Sequence, residues 1–125
     1  MIDHISIAVR DLAASRRFYE AVLAALDFTP LIARPTTIGF GKAYPEFWIN
    51  ERRAMAPVDP DGGVHLCLRA PGAEAVDAFH AAALQAGGTS DGPPGLRPEY
   101  TPNYYAAFIR DPDGNRIEAV TFLKT

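Results

Sequence analysis

Three side chains able to bind a metal ion stand where strand alternation turns them to one side: His4, His65 and Glu118. His4 opens the run HISIAV and His65 opens HLCLRA, and both runs alternate as strands do. Side chains on a strand alternate between its faces. Ile5, Ile7 and Val9 therefore share one face and His4, Ser6 and Ala8 the other. In the second run Leu66, Leu68 and Ala70 match the apolar face, and His65, Cys67 and Arg69 the polar one. Glu118 lies in the apolar run RIEAV, where a carboxylate is costly to bury unless it is paired, protonated or bound to a metal. Two imidazoles and a carboxylate with positions left over form the facial arrangement used by non-haem Fe(II) and accepted by Zn²⁺, Mn²⁺ or Ni²⁺. The plainer alternative makes each histidine a surface or satisfied core residue and Glu118 an edge residue facing solvent.

Repetition weighs against that alternative. Shifting the chain by 61 residues lays His4 on His65, Phe18 on Phe79, Ala21 on Ala82 and Leu23 on Leu84. Each unit then reads in the same order. In the first, a strand at about 4–9 leads to Asp11, a good N-cap, and to a helix ending near Leu26 with Phe18, Val22 and Leu26 on one face. In the second, a strand at 65–70 and a Pro71-Gly72 break precede a helix from about Ala73 to Ala86, with Val76, Phe79 and Ala83 inward and Gly87-Gly88 as its stop. Shorter strands are expected around 28–33, 37–42 and 46–50, then at 104–110 and 115–123. Asp111-Pro112-Asp113-Gly114 makes the last two a hairpin. Module one spans about 1–53, a linker about 54–63 and module two about 64–125. Residues 89–103, with four prolines and two glycines, read as a loop covering part of a cavity, with a short strand hidden in them as the alternative.

Composition narrows the partners. A chain of 125 residues with 48% apolar residues is one domain's worth and buries enough surface to need neither disulfides nor a structural metal. A net charge of −3, with basic residues scattered, argues against nucleic acid. No apolar run approaches a membrane span, and MIDHISIAV lacks the features of a signal peptide. The single cysteine, Cys67, is compatible with a reducing compartment, so a cytoplasmic protein is expected.

These residues resemble the vicinal oxygen chelate superfamily, also called the glyoxalase / bleomycin-resistance / dioxygenase family. The resemblance is carried by DHISIAVRDLAASRRFYEAVL, VHLCLRA and YYAAFIRDPDGNRIEAV, and spans nearly the whole chain. It implies an α+β fold: two βαβββ modules forming an open, curled eight-stranded mixed sheet around a metal cavity, helices outside. It implies ligands from the first and last strand of each module, here His4, His65, Glu118 and a fourth. Aligning PEFWIN with NRIEAV puts Trp48, which cannot ligate, in that fourth place; Glu46 lies two residues earlier, and a register shift would restore it. This departs from glyoxalase I-like enzymes. A three-ligand set resembles extradiol dioxygenases and fosfomycin-modifying thiol transferases. Against the first, His80 sits on a helix rather than near the site; against the second, Lys42 and Lys124 are the only lysines.

The resemblance implies a metal-dependent small-molecule enzyme (lyase, isomerase, thiol transferase or dioxygenase) that chelates two neighbouring substrate oxygens on one divalent ion. The alternative is a non-catalytic, bleomycin-resistance-like protein that sequesters a drug or metabolite. Tyr104 and Tyr105 are candidates to hydrogen-bond a substrate oxygen, though alternation lets only one face inward. Trp48, Phe40, Cys67 and Arg97 are candidate pocket residues, with Arg69 a second candidate for an anionic group. A homodimer is expected, with the site built either within one chain or from modules of two chains.

Overall fold

The computed structural model describes residues 1–124. The chain runs β1 (Ile5–Val9), α1 (Leu12–Ala24), β2 (Thr29–Ala33), β3 (Thr37–Gly41), β4 (Pro45–Glu51), β5 (Leu66–Arg69), α2 (Ala73–Gln85), β6 (Thr89–Leu96), β7 (Tyr104–Arg110) and β8 (Arg116–Phe122). Adding 61 to the bounds of α1 gives 73 and 85, the bounds of α2. The first helix starts where Asp11 accepts a hydrogen bond from Ala14 N at 3.1 Å. The second starts after Gly72 without a side-chain cap and ends before Gly87, whose φ of +105° suits glycine.

The eight strands form two four-stranded mixed sheets, ordered β1-β4-β3-β2 and β5-β8-β7-β6. In each, the first strand runs parallel to the last and the other pairs are antiparallel. Residues 89–96 correct the sequence reading: they form β6 rather than a loop. The ladder is interrupted between Ser90 and Gly92 and again between Gly92 and Gly95, so Pro93 and Pro94 sit where no backbone donor is needed. Prolines are tolerated on edge strands in this way, and β2 carries Pro30 beside its own irregularity.

Each helix covers one face of its own sheet, and α1 also packs against α2, so a single apolar core joins the modules. Phe18, Tyr19, Phe40 and Phe47 are fully buried in it. The opposite face of each sheet is open, with Ser6 on β1 and Cys67 and Arg69 on β5 exposed.

The DPDGN turn does more than reverse the chain. Asp111 is 4% exposed. Its Oδ1 accepts from Asp113 N (2.9 Å) and Asn115 N (2.8 Å), shaping the turn. Its Oδ2 accepts from Tyr19 OH on α1 (2.6 Å) and Asn115 Nδ2 (2.9 Å). Asn115 Nδ2 also donates to Ala8 O on β1, and Arg10 N donates to Asp113 Oδ2. The turn that starts β8 is thus tied to the first strand and helix of the other module. No helix among the described residues is long and apolar enough to cross a membrane.

Candidate functional site

The β5–β8 register sets Cys67 opposite Glu118, and the β7–β8 register sets Phe108 on the other side of Glu118. Glu118 therefore lies in the middle of the open face of the second sheet, yet it is only 2% exposed. His65, just before β5, brings Nε2 to 2.9 Å from Glu118 Oε1. Tyr104 OH donates to the other carboxylate oxygen. Burial and that hydrogen bond raise the Tyr104 phenol well above its ordinary range, so it stays protonated. Cys67 lies beside the pair, with Sγ 3.9 Å from Tyr104 OH. Burial, and then the Glu118 carboxylate, push its thiol up to about 12. A protonated thiol is a poor nucleophile.

The equivalent face of the first sheet is built differently. Ser6 pairs with Trp48, as Cys67 pairs with Glu118, so Trp48 holds the place that carries the carboxylate in the second module. His4 precedes β1 as His65 precedes β5. Its Nδ1 lies 2.6 Å from Asp3 Oδ2, and Tyr44 OH donates to both Asp3 oxygens at 2.8 and 3.0 Å. The bonds from His4 and Tyr44 lower the Asp3 carboxyl below its usual value of 3.8. A carboxylate on Nδ1 fixes the ring and leaves Nε2 as the free ligand atom, the usual support of a metal-binding histidine.

His4 and His65 border one cleft of about 350 Å³ between the starts of β1 and β5, with Glu46 and Cys67 also on its rim. Among the described residues no three His, Cys, Asp or Glu side chains come together closely enough to hold one ion. The structure thus unites His65 with Glu118 and leaves His4 apart from them.

One pocket candidate, Phe40, and one hydrogen-bonding candidate, Tyr105, are turned away. Phe40 pairs with Phe47 and shares its face, so it packs on Tyr19 in the core, ring centroids 6.5 Å apart. Tyr105 likewise faces the helix, donating to Asp77 of α2 at 2.6 Å, and Tyr104 takes the open face. Arg97 stacks over Phe108 at 5.4 Å while donating to Pro93 O, and Arg69 stacks over Phe122 at 4.7 Å. Trp48 lines a second cavity beside His4. Asp3 and Tyr44 were not legible as site residues; a carboxylate next to a candidate ligand histidine was the available signal for the first.

The fit of these residues to a metal can be judged from the His65–Glu118 pair. Donors with bonds of about 2.1 Å to one ion lie roughly 3–3.4 Å apart, from octahedral to tetrahedral angles. The observed 2.9 Å is close to the lower end of that range. The same spacing serves a simple hydrogen bond, so His4 is what distinguishes the two.

Residues 1–119 match the family described as the glyoxalase/bleomycin resistance protein/dioxygenase superfamily. The fold is similar to that of a glyoxalase/bleomycin resistance protein from Albidiferax ferrireducens, with 35% identity, TM-score 0.83, and 94% of this chain and 96% of that one covered. A family enzyme from Burkholderia phytofirmans shares 21% identity at TM-score 0.73, covering 98% of each chain. The fosfomycin resistance protein FosX from Mesorhizobium loti shares 19% at TM-score 0.70, covering 98% of this chain and 92% of its own. No curated protein matches the chain.

Proposed function

Because the chain belongs to the glyoxalase/bleomycin resistance protein/dioxygenase superfamily, we propose that it is a metal-dependent enzyme acting on two neighbouring oxygens of a small molecule. The ion is held by His65 and Glu118 of one protomer and by His4 of the partner subunit in a homodimer. The observation that carries this reading is the buried Glu118 carboxylate, whose Oε1 stands 2.9 Å from His65 Nε2 at the floor of an open face. Three further features support it. His4 is oriented by Asp3 but, among the described residues, belongs to no group of three side chains able to hold an ion in its own chain. The outer edges of β1 and β5 pair with no strand among the described residues, so a second copy can lay its β1 along β5. Ile2 and Val64, at the starts of those edges, are 80% and 74% exposed.

Two imidazoles and a carboxylate suit Zn²⁺, Fe²⁺, Mn²⁺ or Ni²⁺. Bound there, a divalent ion supplies Lewis acidity toward substrate oxygens. The chain's own residues do the rest. Trp48 supplies no fourth ligand, so coordination positions would stay free for a bidentate substrate. Tyr104 donates its O–H to Glu118 and so holds that carboxylate in place, leaving the phenol oxygen as an acceptor toward the open face.

Metal analysis of the purified protein and of His4→Ala, His65→Ala and Glu118→Gln is the test. Stoichiometric metal in the parent and at least about tenfold weaker binding in each variant is expected; unchanged metal content in all three contradicts the reading. A second reading, a binder that sequesters a small molecule without chemistry, is favoured by one observation: an aromatic side chain, Trp48, occupies a ligand's place on an open face. Tight ligand binding in EDTA with no turnover of any metal-loaded form supports it.

A further inference from the structure

We propose that the open face of the first sheet, beside His4, binds the carboxylate of a small organic acid with a planar body, Arg34 holding the charge and Trp48 the ring. The binding site stands on its own geometry; its assignment to the enzyme's substrate rests on the metal-dependent reading above.

The site is a cavity of about 340 Å³ bordered by His4, Ser6, Arg34, Thr37 and Trp48. Its floor is a built platform. Trp48 pairs with Gly39 across the β3–β4 ladder, and a Cβ at position 39 would stand 3.0 Å from two carbons of the indole. Glycine there lets the ring lie down on the sheet. The Arg34 guanidinium sits over that ring, 5.3 Å from its centroid. Among the described residues it forms no salt bridge and no side-chain hydrogen bond. Thr37 Oγ1, at the cavity wall, is buried without any partner, a condition that a native hydroxyl rarely keeps. Ser6 Oγ already accepts from Asn50 Nδ2 at 2.7 Å, so its own proton is free to donate.

One planar cation and two hydroxyl donors above an aromatic surface match a carboxylate on a flat body. An arginine fork takes the two carboxylate oxygens together, and the flat body packs beside the guanidinium against the indole that it leaves uncovered. The charge count favours a monoanion over a phosphonate dianion. Among the described residues Arg34 is the one arginine or lysine bordering the cavity, and the Asp3 carboxylate sits 2.6 Å behind His4.

Trp48 is the only tryptophan, so its fluorescence and indole N–H resonance report on this face alone. The full chain is titrated in EDTA with benzoate, benzamide and phenylphosphonate. Benzoate is expected to quench Trp48 saturably, with benzamide about tenfold weaker or more, and Arg34→Met is expected to lose a similar factor. Arg34→Lys, which keeps the charge without the fork, recovers part of the loss and covers the case in which the methionine variant misfolds. Thr37→Val weakens benzoate about threefold. Equal binding of benzoate and benzamide, or full benzoate affinity in both Arg34 variants, overturns the proposal; tighter phenylphosphonate overturns its carboxylate part. With EDTA present these outcomes do not depend on the metal site, whose failure shows separately in metal analysis.

Discussion

Removing the Asp111 carboxylate should loosen the tie between the modules that aligns the strand carrying Glu118. Asp111→Ala deletes an acceptor of four hydrogen bonds, from Tyr19 OH, Asp113 N, Asn115 N and Asn115 Nδ2. Bonds to a charged group contribute about 1.5–3 kcal/mol each. They do not add, because the four share one carboxylate. Asp113 and Asn115 are only half-buried and regain water, whereas Tyr19 is fully buried and its hydroxyl is left orphaned. A loss of about 4 kcal/mol is therefore expected for Asp111→Ala and about 2 kcal/mol for Tyr19→Phe. At roughly 3–4 °C per kcal/mol for a chain of this size, the first lowers Tm by about 12–16 °C. Urea unfolding of both single variants and the double variant gives the coupling, expected at about 1.5–2 kcal/mol. Additive losses, or an Asp111→Ala cost below about 1 kcal/mol, refute the view that this turn fastens one module to the other.

Three other outcomes follow from the geometry. Asp3→Asn should weaken metal binding about tenfold or more while leaving Tm nearly unchanged, since Asp3 is exposed and its bonds to His4 and Tyr44 lie at the surface; calorimetric metal titration checks this. Tyr104→Phe should likewise weaken metal binding, by up to about tenfold, because Glu118 loses the donor that fixes its second oxygen, again read by calorimetry. His80, which shares a hydrogen bond with Ser90 Oγ, is held by burial below its usual value of 6.5. The unfolded chain then takes up a proton that the folded one resists, so stability falls as the pH drops from 6.5 toward the folded value. His80→Gln should flatten that acid-side decline in urea midpoints measured between pH 7.5 and 5, and an unchanged slope contradicts the assignment.

What could be read from the residues followed from how strongly each pattern is constrained. The two helices were legible to within two residues, because their apolar spacing, Asp11 and Gly87 leave little freedom. The equivalence of Trp48 and Glu118 was legible from two short strands that alternate cleanly, and the registers agree with it. Strand β6 was hidden because Pro93 and Pro94 suppress every local strand signal, while an edge position with bulges makes both harmless. Phe40 was misplaced because its face depends on a one-residue register that composition does not reveal; Trp48, opposite Gly39, took the open side. Asp3, Tyr44, Arg34 and Thr37 gave no periodic signal, since their roles come from a turn and a strand end meeting in space. The DPDGN turn was legible as a turn, but its reach to Tyr19 and Ala8 was not.

In the proposed homodimer, His4 of one protomer completes the metal site of the other. Neither His4→Ala nor Glu118→Ala alone should bind metal tightly. When the two variants are unfolded together and refolded as a mixture, half the dimers pair one chain of each kind. In every such dimer one site receives an intact His4 from the Glu118→Ala chain and intact His65 and Glu118 from the other. Tight metal binding should therefore return to about one quarter of the parent level. A mixture that binds no more metal than either variant by itself contradicts the shared site.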